Sequence, residues 1–228
     1  MARDAPAAAR GPGPAGRPRT LSGAARVVAA RDPVVAGLVD AFGLPRLSRP
    51  VRTHFAALVE SIVYQQLAGA AASTIHRRLT EALGGEVTPE TMLALAPEQL
   101  RAAGMSGNKA ASVCDLAVKV LDGTVVLDPR GLAREGDEEV IERLTTVRGI
   151  GRWTAEMFLL FQLRRLDVWP TGDLGVRRGY GVAWALPMPS ARELQPLGDG
   201  FRPYRSVVAW YCWRAAEQPG EAPSPVTR

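Results

Sequence analysis

Between Val140 and Tyr180 the chain reads VIERLTTVRGIGRWTAEMFLLFQLRRLDVWPTGDLGVRRGY, and no other stretch restricts the fold as strongly. Val140, Ile141, Leu144 and Val147 recur on one face of a helix that Asp137 can cap. Gly149 and Gly151 flank Ile150, and glycines admit positive φ and the close approach of another backbone. A second apolar helix is predicted from Trp153 through Leu163, with Phe158, Leu160 and Phe161 for the core. A third begins at Asp173. Helix, glycine hairpin, helix and a carboxylate at the next helix start form one continuous unit over which the other segments must fold.

Those other segments are helical too. Ala25, Val28 and Ala29, then Val34, Val35, Leu38, Val39 and Phe42, recur at helical spacing, with Asp32-Pro33 separating two short helices. Phe55, Leu58, Val59, Ile62, Val63 and Leu67 make one apolar stripe. Beyond Gln65 and Gln66 a further helix runs from Ala70 to Leu83. Short helices start at Thr88-Pro89 and Pro97, and a longer one, Ala110–Leu121, opens at Ser106 and Lys109, which can cap it or touch a phosphate. Ser190 caps Ala191–Leu197, and Val207–Glu217 carries Trp210, Tyr211 and Trp213. No sustained period-2 alternation occurs, so the fold class is all-α.

Charge contributes less than it first suggests. The net charge is +5, but residues 1–20 hold Arg3, Arg10, Arg17 and Arg19 against Asp4, leaving only +2 for the remainder. Residues 1–20 read as a disordered basic tail, 21–217 as the folded domain with its hairpin at 137–163, and 218–228 as a frayed end. Nucleic-acid binding must therefore rest on a local patch. Two cysteines exclude a disulfide framework and an iron–sulfur cluster, and the distant His54 and His76 give no zinc site. No apolar run approaches the roughly 20 residues of a membrane span, and a cytoplasmic protein is expected.

The hairpin suggests a grip. The first N–H groups of the helix after Gly151 lack helical partners and suit a phosphate oxygen, with Arg148 and Arg152 beside them. A lone G-x-G is weak evidence, whereas G-I-G-x-W-T-A between two apolar helices is more specific. Asp173 taken alone reads as an N-cap.

Arg148-Gly149-Ile150-Gly151-Arg152-Trp153-Thr154-Ala155, Asp167-Val168-Trp169-Pro170 and Asp173-Leu174-Gly175 resemble the hairpin, proline-containing stretch and catalytic turn of the helix–hairpin–helix DNA glycosylase superfamily. Ser61 to Leu67 and Arg202 to Tyr211 resemble its alkylation-repair, 3-methyladenine branch. The resemblance spans about Ser22 to Glu217. It implies two helical subdomains with the active-site cleft between them, and monofunctional excision of alkylated purines, 3-methyladenine and 7-methylguanine, from damaged duplex DNA by a monomer. The flipped base enters a pocket to which Trp153, Met157, Leu174 and Trp210 are assigned, although Trp213 or plain core packing competes for the last position. Asp173 stabilises positive charge at the sugar and handles water. Some relatives that also cut the strand use a lysine where Trp153 stands, so no lyase chemistry is expected. DNA contacts are assigned to Gln65, Gln66, Leu67, Arg148, Gly149, Ile150, Gly151, Arg152, Thr154, Tyr204 and Arg205, with Gln66 or Leu67 filling the gap left by the base. No cofactor is required, while the carbonyls of Thr145, Val147 and Ile150 are expected to hold Na+ or K+. The alternatives are a non-catalytic DNA-binding module, or a glycosylase for other damaged bases.

Overall fold

The computed structural model describes residues 18–217, and all regular structure within them is helical. The expected tail through residue 17 and the expected frayed end lie outside the described residues. Thr20 caps α1 (Leu21–Ala29) by accepting the Gly23 amide at 3.1 Å. α2 (Pro33–Phe42) starts as expected, with Asp32 accepting from Val35 and Pro33 where no amide is needed. α3 (His54–Tyr64) is capped by Thr53, and its stripe ends at Val63. Leu67 lies beyond it, exposed in the loop before α4 (Gly69–Ala82).

α5 (Pro89–Ala94), α6 (Pro97–Ala102), α7 (Gly107–Leu121) and α8 (Pro129–Leu132) follow. α9 (Asp137–Thr145) departs from the expected cap: Glu139 accepts the Gly136 amide at 2.7 Å, while Asp137 faces Arg165 at 3.5 Å. α10 (Arg152–Met157) is shorter than the predicted helix and passes into a π turn at Phe158–Gln162. The wider turn, closed by Leu163 N–H to the Phe158 carbonyl, rotates the residues after it. Phe158, Leu159 and Leu160 remain buried, but Phe161 emerges at the surface instead of entering the core. α11 (Leu174–Ala183), α12 (Ala191–Leu197) and α13 (Arg205–Glu217) complete the chain.

The helices divide into two groups. α13 packs on α11, α1 and α2, gathering the first and last described helices into one layer. Gly179 makes that packing close: a Cβ there would lie 1.7 Å from the Cys212 carbonyl oxygen. The middle of the chain forms the other group, with α7 against α5, α6 and α3, and α9 against α10. α10 and the π turn, on the edge of the second group, face α11 and α13 of the first. No described helix is long and apolar enough to cross a membrane.

Candidate active site

Asp173 is the N-cap of α11, its Oδ1 accepting the Val176 amide at 2.8 Å. The same oxygen accepts Trp213 Nε1–H from α13 at 2.9 Å, and Oδ2 accepts Trp153 Nε1–H from α10 at 2.6 Å. Two donors on Oδ1 match its two lone pairs; Oδ2 keeps one free. A carboxylate held by two indoles from both helical groups cannot swing away, and its open lone pair lies at their junction. Trp153, expected in the base pocket, is 47% exposed and holds Asp173, and it is not among the residues that line the cleft described next. Gly175 makes the arrangement possible. A Cβ at this position would meet Trp213 Cδ1 at 2.8 Å and Asp173 Oδ1 at 3.1 Å. The sequence places Gly175 in the turn that resembles the family's catalytic one but assigns it no role of its own.

Beside this niche a cleft of about 260 Å³ runs between α3 and the π turn, lined by Glu60, Ser61, Tyr64, Met157, Phe161 and Gln162 among others. That is just below the roughly 300 Å³ at which sites for drug-sized ligands begin, a scale suited to one heterobicyclic base. Phe161 stacks on Trp213 with ring centroids 5.6 Å apart, joining cleft to carboxylate. Met157 lines the cleft as expected. Leu174 is exposed on the first turn of α11 and does not line it. Trp210 is a correction: it packs edge-on to Tyr211 beneath the Arg214 guanidinium, and Trp213 takes the site position. A larger cleft of about 780 Å³ lies on the other flank of α3 and includes none of the residues that hold Asp173.

The hairpin is built from main chain and braced by side chains from far away in sequence. Gly149 has φ +77°, and a Cβ on it would sit 2.5 Å from Ser112 Oγ. Asp115 accepts the Arg148 amide at 2.7 Å and the Lys119 ammonium at 2.9 Å. Burial pulls the Asp115 carboxyl upward, but these two hydrogen bonds and the Lys119 and Arg148 charges outweigh it and hold it below its ordinary value. Gln65 donates to the Gly149 carbonyl at 2.9 Å and to Thr154 Oγ1 at 3.4 Å. The amides of Arg152, Trp153 and Thr154 donate to no group among the described residues, leaving the open N–H cluster expected there. The Thr145 and Ile150 carbonyls likewise accept nothing, whereas that of Val147 takes the Ile150 amide at 3.1 Å.

Several assigned contacts look different in three dimensions. Arg148 is exposed, its guanidinium resting on Asn108 at 3.1 Å, and Gln66 and Leu67 form an exposed tip with Gln66 at φ +55°. Gln65, in contrast, is occupied in bracing the hairpin. Thr154 is buried, so only its amide remains open. Arg152 is held between Glu138 and Glu156. Burial raises the Glu156 carboxyl above its ordinary value, with Arg152 opposing. Tyr204 and Arg205 do not reach the surface as phosphate contacts: Tyr204 is buried, and Arg205, 9% exposed, binds Asp167 through Nε at 2.8 Å. Lys109 donates to the Val63 carbonyl at 2.7 Å, which closes α3.

An all-helical fold, a glycine hairpin with open amides and a carboxylate fixed beside an aromatic cleft define a base-excision type of DNA-repair protein. Residues 59–196 match the HhH-GPD superfamily of base excision DNA repair proteins, and the chain belongs to that family. It is 34% identical over 176 residues to DNA-3-methyladenine glycosylase 1 of Schizosaccharomyces pombe, covering 76% of this chain and 77% of that protein. The solved Schizosaccharomyces pombe 3-methyladenine DNA glycosylase, in complex with abasic DNA, matches with a TM-score of 0.73 at 33% identity, over 86% of this chain and 97% of that one. A DNA-3-methyladenine glycosidase from Bacillus halodurans matches with a TM-score of 0.78 at 35% identity, over 85% and 89%. The 8-oxoguanine glycosylase/lyase of Clostridium acetobutylicum, 18% identical with a TM-score of 0.65, shares the fold alone.

Proposed function

We propose that the protein is a monofunctional DNA glycosylase, acting as a monomer, that excises 3-methyladenine and 7-methylguanine from damaged duplex DNA. The carrying observation is Asp173, braced through Oδ1 by Val176 and Trp213 and through Oδ2 by Trp153, with one lone pair of Oδ2 free beside an aromatic cleft. Chemistry on a base inside the stack requires extrusion into such a cleft. The N-glycosidic bond breaks with its electron pair leaving on the purine, and Oδ2 stabilises the positive charge that develops at the sugar C1′. Water then adds its oxygen to C1′ and gives a proton to Asp173 or to solvent. An alkylated purine leaves as a neutral base, so no general acid is needed.

Trp153 has no amine with which to form a Schiff base, which favours glycosylase over lyase chemistry. The open amides of Arg152, Trp153 and Thr154 and the exposed Arg148 suit a DNA phosphate, and the exposed Gln66–Leu67 tip suits the gap left by the base. The free carbonyls of Thr145 and Ile150, with that of Val147, fit a monovalent cation, which would supply positive charge between hairpin and phosphate. Incubation with methylated duplex DNA tests the reading, with released base and alkali-labile sites measured for wild type and Asp173→Asn. Release by wild type and its loss in the variant are expected. Absence of release by either protein favours a pure DNA-binding module, and borohydride-trapped strand cleavage would refute the monofunctional assignment.

A further inference from the structure

Within the cleft, most walls are indifferent to the identity of the base. Met157, Phe158 and Phe161 offer apolar and aromatic surface to any flat ring. Among the polar lining groups, Gln162 is already committed, its amide donating to the Arg52 carbonyl and paired with His54 Nδ1, both at 3.1 Å. Glu60 is the one carboxylate in the lining. It stands one helical turn before Tyr64 on α3, 27% exposed, with Oε1 3.2 Å from the Arg52 guanidinium. Its second oxygen has no hydrogen-bond partner among the described residues.

We propose that Glu60 is a specificity-determining residue that selects bases carrying positive charge. The inference rests on the alkylpurine reading above. A base whose sugar carbon meets Asp173 Oδ2 and whose ring enters the cleft past Phe161 would turn its far edge to α3, where Glu60 stands in the lining. Alkylation at N3 of adenine or N7 of guanine makes the purine ring cationic and strengthens its N–H donors. A carboxylate in a partly desolvated aromatic cleft attracts such a ring and accepts from its amino group. A neutral lesion of the same shape gains neither. Arg52, on the opposite flank of the helix, fixes the carboxylate without entering this cleft.

The sign of the kinetic effect follows from the charge. The base is cationic while bound and neutral once it has left, so Glu60 stabilises the bound state at least as well as the transition state. It therefore acts on capture and does not speed bond breaking. Asp173 has the opposite character, since its counter-charge develops only during the reaction.

Single-turnover excision from a duplex with one 7-methylguanine distinguishes the two roles. Glu60→Gln, which keeps the shape, is expected to raise the half-saturating enzyme concentration about tenfold, the scale of one hydrogen bond to a charged group, without lowering the maximal rate. Binding of both proteins to a duplex carrying the neutral 1,N6-ethenoadenine is expected to be equal. An unchanged half-saturating concentration in Glu60→Gln, equal weakening on both duplexes, or a fall in maximal rate alone would overturn the proposal. Failure of wild type to release 7-methylguanine would instead remove the alkylpurine reading on which it rests.

Discussion

The hairpin and the carboxylate niche are neighbours built on opposite plans. The hairpin is local in sequence and made of main chain: Gly149 turns it, and the amides of Arg152, Trp153 and Thr154 have no acceptor among the described residues. Its supports come from elsewhere, from Gln65, Ser112, Asp115 and Lys119. The niche is the reverse, with indole side chains from α10 and α13 converging on one carboxylate, which the Val176 amide of α11 also holds. A site of main-chain donors holds whatever phosphate arrives, and its side chains only set its shape. A site of converging side chains does chemistry and fails when one is misplaced. Damage to the first should therefore appear in affinity, and damage to the second in rate.

The largest break in that comparison is expected from Asp173→Asn. The amide removes the charge but keeps the size, and loss of such an electrostatic stabiliser costs roughly 10²- to 10³-fold in rate. Affinity for methylated duplex should change little; a loss of binding equal to the loss of rate would merge the two regions into one. Gly175→Ala comes next. Its Cβ would press on the Trp213 indole and Asp173 Oδ1. A misplaced catalytic group a fraction of an ångström away costs about tenfold or more. Gly175 carries no positive φ, so a normal thermal midpoint with reduced rate is the expected pair of results, and full activity would show that the indole yields freely.

The residues that make these predictions possible were unequally legible in the sequence. Caps follow from local rules, and Asp32, Thr53, Ser190 and Asp173 all accept the amide three residues on. Pairings across long chain separations follow no local rule. Arg205 looked like a phosphate contact because its partner Asp167 lies 38 residues away, and Arg152 because Glu138 lies a hairpin away. Trp210 and Trp213 are three apart on α13 and share much of one helix face, so periodicity alone could not choose between them. Phe161 belonged to the core under a continuous 3.6-residue repeat. The π turn, which that repeat cannot foresee, brought it out onto Trp213 and so made part of the cleft.

Asp115→Asn probes the other side of the comparison with a smaller effect. It keeps an acceptor for the Arg148 amide but loses the charge that holds Lys119, and removal of a partly exposed charge-assisted bond is worth about 1 kcal/mol. DNA affinity should fall about threefold to tenfold, evenly across sequences, while the rate at saturation stays unchanged. Because the Asp115 carboxyl lies below its ordinary value in the folded protein, its stabilising contribution is present above roughly pH 4 and is lost only as pH falls through that lower value. Affinity should accordingly show no step from this group between about pH 5 and 8. A step there that is present in wild type and absent in Asp115→Asn would contradict the depressed carboxyl.

The sharpest test is the smallest expected number. Asp115 and Asp173 share no hydrogen-bond partner, yet Trp153 lies in the first turn of the helix that the hairpin leads into and donates to Asp173. If the grip only holds and the niche only reacts, the Asp115→Asn and Asp173→Asn effects on kcat/KM should add to within about 0.5 kcal/mol. If hairpin posture is transmitted through α10 to the indole on Oδ2, Asp115→Asn should matter less once Asp173 has lost its charge, and the cycle should show coupling above that limit. Additivity would mean that one short helix separates two independent devices. Coupling would mean that phosphate capture helps to set the carboxylate, and that the hairpin takes part in the chemistry it presents.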